Sequence, residues 1–163
     1  MKTLSEISLN KAGKLIVTGE LEENYRDGYY PCYGGNGIRG YINRYSHTGC
    51  LPIIGRQGAL AGNVNLAKGN FYATEHAVVV NPIIDANPIW YYYALKLYNL
   101  SRFQTGAAQP GLTVEIINNL EIPFPSYNQQ NKFATFVDQV DKQKFNEVLY
   151  SLKYVKNMLK CKC

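Results

Sequence analysis

The chain has no CxxC pair, no HExxH, no GxSxG and no uninterrupted apolar run near the ~18 residues that a membrane span requires. Each absence removes a class of function. The four cysteines, Cys32, Cys50, Cys161 and Cys163, are wrongly spaced for a zinc ribbon, and an intracellular chain of this size normally keeps its thiols reduced, so neither a metal site nor a disulfide framework is expected. His47 and His76 are the only histidines, and neither has a second ligand three or four residues away. Charge is also sparse, at 18% of residues, with a net +5. The opening Met1-Lys2-Thr3-Leu4-Ser5-Glu6 has neither the apolar stretch of a signal peptide nor the arginines of a transit peptide, which makes a cytoplasmic location the default. No enzyme signature survives, and no cofactor is expected.

What is present divides the chain in two. Its 163 residues suffice for one ordinary core, and Gly and Tyr, fourteen of each, are concentrated upstream of Gly111. From Asn128 to Cys163 there is neither Gly nor Pro, and Lys132, Lys142, Lys144, Lys153, Lys156, Lys160 and Lys162 outnumber Asp138, Asp141 and Glu147. This tail reads as one long helix from near Tyr127 to near Lys160. Its apolar residues fall in two phases: Phe133, Phe136, Val137 and Val140, then Phe145, Val148, Leu152, Val155 and Leu159 in alternating steps of three and four. The second set is a heptad seam for a helical partner, so residues 1–126 are expected to form one domain and 127–163 a pairing helix.

Upstream, Tyr29–Tyr33, Ile38–Tyr45, Leu51–Ile54 and Phe71–Val80 read as strands. The turns are expected at Gly34-Gly35-Asn36-Gly37, Gly55-Arg56-Gln57-Gly58 and Lys68-Gly69-Asn70. Asn87 followed by Pro88 opens a helix through Leu100, Thr113 caps another through Asn119, and Leu120–Phe124 reads as a last short strand. The fold class is α+β, a mostly antiparallel, turn-rich β core with short helices followed by one long C-terminal helix.

Two motifs suggest chemistry that their context denies. Gly35-Asn36-Gly37-Ile38-Arg39-Gly40 matches GxGxxG, but a β-like segment follows where a dinucleotide site needs a helix, so a hairpin turn is the better reading. Asn87-Pro88-Ile89-Trp90 resembles the tetrad with which amino-methyltransferases grip a base, but it lacks the second proline and is explained by a helix cap. A binding surface remains. Arg39, Arg44, Arg56, Lys68 and Arg102 lie in or beside Gly-rich loops, among Tyr41, Tyr45, Asn43, Gln57, Asn63, Gln104 and Gln109. Arg, Asn and Gln can make bidentate contacts with guanine or adenine edges, and Lys suits phosphate. Arg56, between glycines, is as well placed to brace a loop as to touch DNA.

The ordered segments Tyr30-Pro31-Cys32-Tyr33-Gly34-Gly35-Asn36-Gly37-Ile38-Arg39-Gly40-Tyr41, Ile53–Gly58, Phe71–Thr74, Thr105–Leu112 and Ile122–Pro125 resemble the target recognition domain of type I restriction-modification specificity (S) subunits. Gln129-Gln130 stands where that family usually has Glu-Gln. The resemblance implies a non-catalytic reader of double-stranded DNA, whose recognition domain contacts bases and whose helix sets spacing and docks modification (M) subunits, with restriction (R) subunits as further partners. S subunits typically carry two recognition domains and two helical regions. One of each here implies a homodimer paired through Phe145, Val148, Leu152, Val155 and Leu159 on an interrupted palindrome. The alternatives are a truncated or silent S-gene fragment, the specificity domain of a related restriction system, and a protein-interaction module that uses the Tyr-rich loops.

Overall fold

The computed structural model describes residues 1–160 apart from 18 and 107–109, with the side chains of 145–160 outside that description. Eight strands and four α-helices follow one another among these residues: β1 (Lys2–Thr3), α1 (Leu4–Ile7), β2 (Ser8–Ala12), β3 (Tyr30–Gly34), β4 (Gly37–Ile42), β5 (His47–Gly55), β6 (Val64–Ala73), β7 (Ala77–Pro82), α2 (Pro88–Leu97), a 3-10 turn (Leu100–Phe103), α3 (Val114–Asn118), β8 (Glu121–Ile122) and α4 (Tyr127–Lys160). Six strands form one sheet in the order β2-β7-β5-β6-β3-β4, antiparallel except where β3 runs parallel to β6. β1 and β8 form a separate two-stranded ribbon. This is the α+β, mainly antiparallel architecture expected.

Two of the expected strand boundaries are corrected. Phe71–Val80 is not one strand: β6 ends at Ala73, and a tight turn in which Ala77 N–H donates to the Thr74 carbonyl starts β7. Lys68-Gly69-Asn70 is not a turn but lies inside β6, paired with Cys50, Gly49 and Thr48 of β5. Gly69 has φ +73° and faces Gly49, whose φ is also positive, so two residues without side chains oppose each other within the hairpin. The helix opened by Asn87 is also shorter than expected. It stops at Leu97, and Asn99, with φ +54°, redirects the chain into the 3-10 turn.

The caps behave as their sequences suggest. Asn87 accepts from the N–H groups of Ile89 and Trp90, and Thr113 accepts from Ile116 N–H. Asn87 is in turn held by the start of α4: its N–H donates to Gln130 Oε1 at 2.8 Å and its side chain to Asn131 Oδ1 at 2.8 Å. Gln130 is fully buried and returns a bond to the Pro125 carbonyl. Tyr93 and Phe133 then pack edge to face, so the root of α4 is fixed to the domain by both polar and aromatic contacts.

The core has two main parts. Leu4, Ile7, Trp90, Tyr91, Leu95, Ile117 and Ile122 join the helices to Ile54, Val78 and Val80 of the sheet. Ile53, Ala67, Phe71, Ala73, Ala77 and Val79 fill a second cluster among the strands. β2 closes the first cluster with an inverted pattern. Its inward residues are the buried Ser8 and Asn10, while Leu9 points outward. The polar pair is satisfied, because Tyr91 donates its hydroxyl to Ser8 and Asn10 donates to Asn118. Burial pushes the Tyr91 phenol up to about 12.

Candidate nucleic-acid interface

Four segments that are far apart in sequence meet around the loop that joins β5 to β6. Gly55 packs so closely beneath the β3–β4 turn that a Cβ there would lie 1.9 Å from the Gly35 carbonyl oxygen. Arg56 N–H donates to the His76 carbonyl and its own carbonyl accepts from Leu112 N–H, tying the loop to the β6–β7 turn and to the segment before α3. Gly58 N–H donates to the Pro110 carbonyl, and Gln57 bridges to Gly111, which is also paired with Thr105. Asn63 donates its side-chain amide to Asn36 Oδ1 at 3.0 Å. The GxGxxG stretch is therefore a hairpin turn, as its context indicates.

Between these segments lies a cleft of about 490 Å³ whose wall includes Asn36, Arg39, Gln57, Leu60 and His76. A smaller hollow of about 210 Å³ adjoins it, sharing Gln57 and running past Arg56, Thr105 and Pro110. Arg39 lies along Gly34, where a Cβ would meet its Cδ at 2.3 Å, so a residue with no side chain clears its path. It makes no ion pair among the described residues. A guanidinium, two carboxamides and an imidazole thus share one concave surface whose backbone is held from several sides.

The remaining sequence candidates occupy different surroundings. Arg44 is engaged: both its terminal nitrogens donate to the Glu20 carboxylate at 2.9 Å, and its guanidinium sits 5.3 Å from the Tyr72 ring. The Glu20 carboxyl is held below the ordinary range first by that hydrogen bond. Arg56 is half-buried and its Nε is enclosed without a hydrogen-bond partner, so its contribution on view is its backbone. Gln104 donates to the Ala61 carbonyl and braces the loop from below. Arg102 stacks on Tyr98 and Phe103, with its charge 4.5 and 4.7 Å from the two rings. Lys68 is exposed opposite Cys50 on the β5–β6 hairpin and lines neither hollow. Gln109 lies outside the described residues, as do the side chains of Phe145, Val148, Leu152, Val155 and Leu159, although the backbone of all five is helical.

Sequence reasoning passed over three cleft residues. Asn36 sits at a turn and passed for a turn former, whereas Leu60 carries no motif at all. His76 has no second ligand three or four residues away, the spacing on which it was set aside, and its Nε2 instead lies 3.0 Å from Oε1 of the adjacent Glu75. Among the described residues no group of His, Cys, Asp and Glu could hold a metal, and Cys32 and Cys50 are free thiols. No helix among them is long and apolar enough to cross a membrane.

The chain thus combines a cleft assembled from the turns of a mainly antiparallel sheet with a long helix whose root is fixed to Asn87 and Tyr93. Residues 1–150 match the model of the type I restriction modification DNA specificity domain, and the chain belongs to that family. Among curated relatives, the specificity subunit of the type I restriction enzyme EcoprrI from Escherichia coli is 45% identical over 141 residues, covering 86% of this chain and 35% of that protein. Among solved structures, the type I restriction-modification S subunit from M. genitalium superposes with a TM-score of 0.76 at 20% identity, over 89% of this chain and 39% of that one. A chain solved in a study of complex assembly and conformational transition of the type I R-M system gives a TM-score of 0.66 at 18% identity, over 86% and 37%. The chain thus spans a little over a third of the length of these relatives.

Proposed function

We propose that this chain reads double-stranded DNA as a non-catalytic specificity element of a type I restriction-modification system, with residues 1–126 as the reader and 127–163 as the spacing and docking helix. The observation that carries the reading is the convergence of Asn36, Arg39, Gln57 and His76 in one braced cleft. Arg is suited to guanine O6 and N7, and Asn and Gln to adenine N6 and N7, so the cleft holds the side-chain types that discriminate base pairs in a major groove. Arg102 and Lys68 are the phosphate candidates. M subunits, and R subunits with them, are the protein partners, and the setting is the cytoplasm.

Two copies pair through the heptad seam of α4. The helix is about 50 Å long at ~1.5 Å per residue, more than one small domain can cover. A symmetric pair would present two identical readers to a two-fold symmetric, interrupted site.

The test is duplex binding followed against salt. Affinity should fall steeply as salt rises, because each phosphate contact releases counterions. A salt-independent interaction, or none, would refute DNA reading and favour the protein-interaction alternative. For the dimer, light scattering at tens of micromolar should show two copies, converted to one by charged residues at Leu152 and Val155. A monomer indifferent to those changes would refute the pairing. Co-expression with an adjacent M-type gene should then yield a methylated motif with two-fold symmetry.

A further inference from the structure

The loop joining β5 to β6 carries an exposed apolar tip at the rim of the cleft. Leu60 is 52% exposed and flanked by exposed Ala59. It lines the cleft of Asn36, Arg39, Gln57 and His76 on one side, and on the other a hollow of about 390 Å³ that also includes Lys96, Asn99 and Ser101. An exposed leucine elsewhere on a protein needs no explanation. This one is shared by two hollows and stands beside Arg39 and Gln57, the side chains suited to base edges.

The tip is held by hydrogen bonds from within the loop and from three neighbouring segments. Gly62 N–H donates to the Gly55 carbonyl at 2.7 Å, Ala61 N–H to Gly58, Asn63 N–H to Leu60 and Gly55 N–H to Asn63, closing the loop on itself. Gln104 holds the Ala61 carbonyl from below, Asn63 holds Asn36 at the side, and Pro110 receives the Gly58 N–H. Ala61, next to the tip, is buried. The fold therefore fixes the backbone on both sides of Leu60 and leaves its side chain facing outward. A polar tip would meet the same bracing without the cost of exposing an apolar side chain.

We infer that Leu60 is a specificity-determining contact that reads the 5-methyl group of a thymine in the major groove, beside the base edges addressed by Arg39 and Gln57. The inference rests on the DNA reading proposed above and adds the apolar half of the code. Thymine is the one base that presents a methyl group in the major groove, and apolar side chains are its complement. The narrow tip, Ala59 and Leu60 followed by buried Ala61, suits one methyl group rather than a broad surface.

The experiment separates this contact from the parent reading. A preferred duplex is first selected from a random pool with the full chain, and each thymine in it is then replaced in turn by deoxyuridine, which keeps base pairing and removes only the methyl. One replacement should weaken wild-type binding about three- to fivefold, the scale of one buried methyl. The same replacement should leave Leu60→Ala unaffected, while Leu60→Met, which keeps an apolar tip, should retain most of the discrimination. If a preferred duplex is found but every replacement weakens wild type and Leu60→Ala equally, the methyl contact is wrong and DNA reading stands. If Leu60→Ala instead abolishes a protein-induced bend, with no methyl dependence, the residue is a wedge between base steps and the inference is overturned. If the random pool yields no preferred duplex, the DNA reading falls and takes this inference with it.

Discussion

Arg39 and Arg44 stand five residues apart on and just after the same strand, yet the molecule treats them differently. Arg44 lies over Tyr72 and makes two hydrogen bonds to Glu20 of the segment that joins β2 to β3, an arm in which Arg26 likewise pairs with Glu22 and covers Tyr29. Arg39 faces the cleft with Gln57 and Asn36 and has no carboxylate partner among the described residues. The arm neutralises its cations and builds structure from them, whereas the cleft leaves one for a ligand. Counting arginines near glycine-rich loops could not separate the two, because the distinction is made by Glu20, 24 residues from Arg44.

The largest effect should come from destroying the cleft while leaving the arm intact. Gly55→Ala places a methyl group against the Gly35 backbone, which has no flexible end to move aside. We expect a loss of roughly 3 kcal/mol of stability, or a drop of about 10 °C in Tm, with DNA binding lost in parallel. Thermal melts of the variant settle this, and a wild-type Tm would mean that the turn can shift and that the cleft is less tightly built than described.

Next in size is the direct comparison. Arg39→Ala should cost about 1–3 kcal/mol of binding to a preferred duplex, relax selectivity at one base pair and leave Tm unchanged. Arg44→Ala should leave binding nearly intact, its small effect being on the Glu20 arm. Filter binding of both variants on preferred and random duplex distinguishes these outcomes. Equal losses for the two would erase the distinction, and a uniform loss for Arg39→Ala on every sequence would make it a phosphate contact.

How much of this was legible beforehand follows from the range of the interactions. The caps at Asn87 and Thr113, the GxGxxG hairpin turn and the helical tail are local and were read correctly, because the residues that make them are within a few positions of one another. β2 was missed although it completes the sheet, since its inward residues are Ser8 and Asn10 and its apolar Leu9 faces solvent, the reverse of the alternation that marks a strand. Tyr91 and Asn118, which make that inversion tolerable, are more than eighty residues away. α1 did carry a signal: Thr3 and Glu6 form a capping box, with Thr3 N–H donating to Glu6 Oε2 at 2.6 Å. At the cleft, the loop segments were recognisable as motifs but their meeting point was not, because backbone bonds such as Arg56 to His76 leave no mark on residue type.

The smallest effect offers the most sensitive test of the comparison, because one buried thiol lies within reach of both arginines. Cys32 is fully buried, and burial pushes its thiol up to about 11, while Arg39 pulls it down more than Arg44 does and Glu75 pushes it up. Of the two arginines, Arg39 therefore weighs more on the thiol. Removing Arg39 should therefore raise the Cys32 pKa further, and removing Arg44 should raise it less, as followed by thiolate absorbance against pH. The sign also fixes the effect on stability. An unfolded thiol ionises near about 8.5, so the folded state, which holds its proton to higher pH, keeps this contribution in full below that value and loses it as pH climbs toward 11. Arg39→Ala should carry that alkaline loss to higher pH than Arg44→Ala does, and the reverse order would show that Arg44 weighs more on the thiol than Arg39.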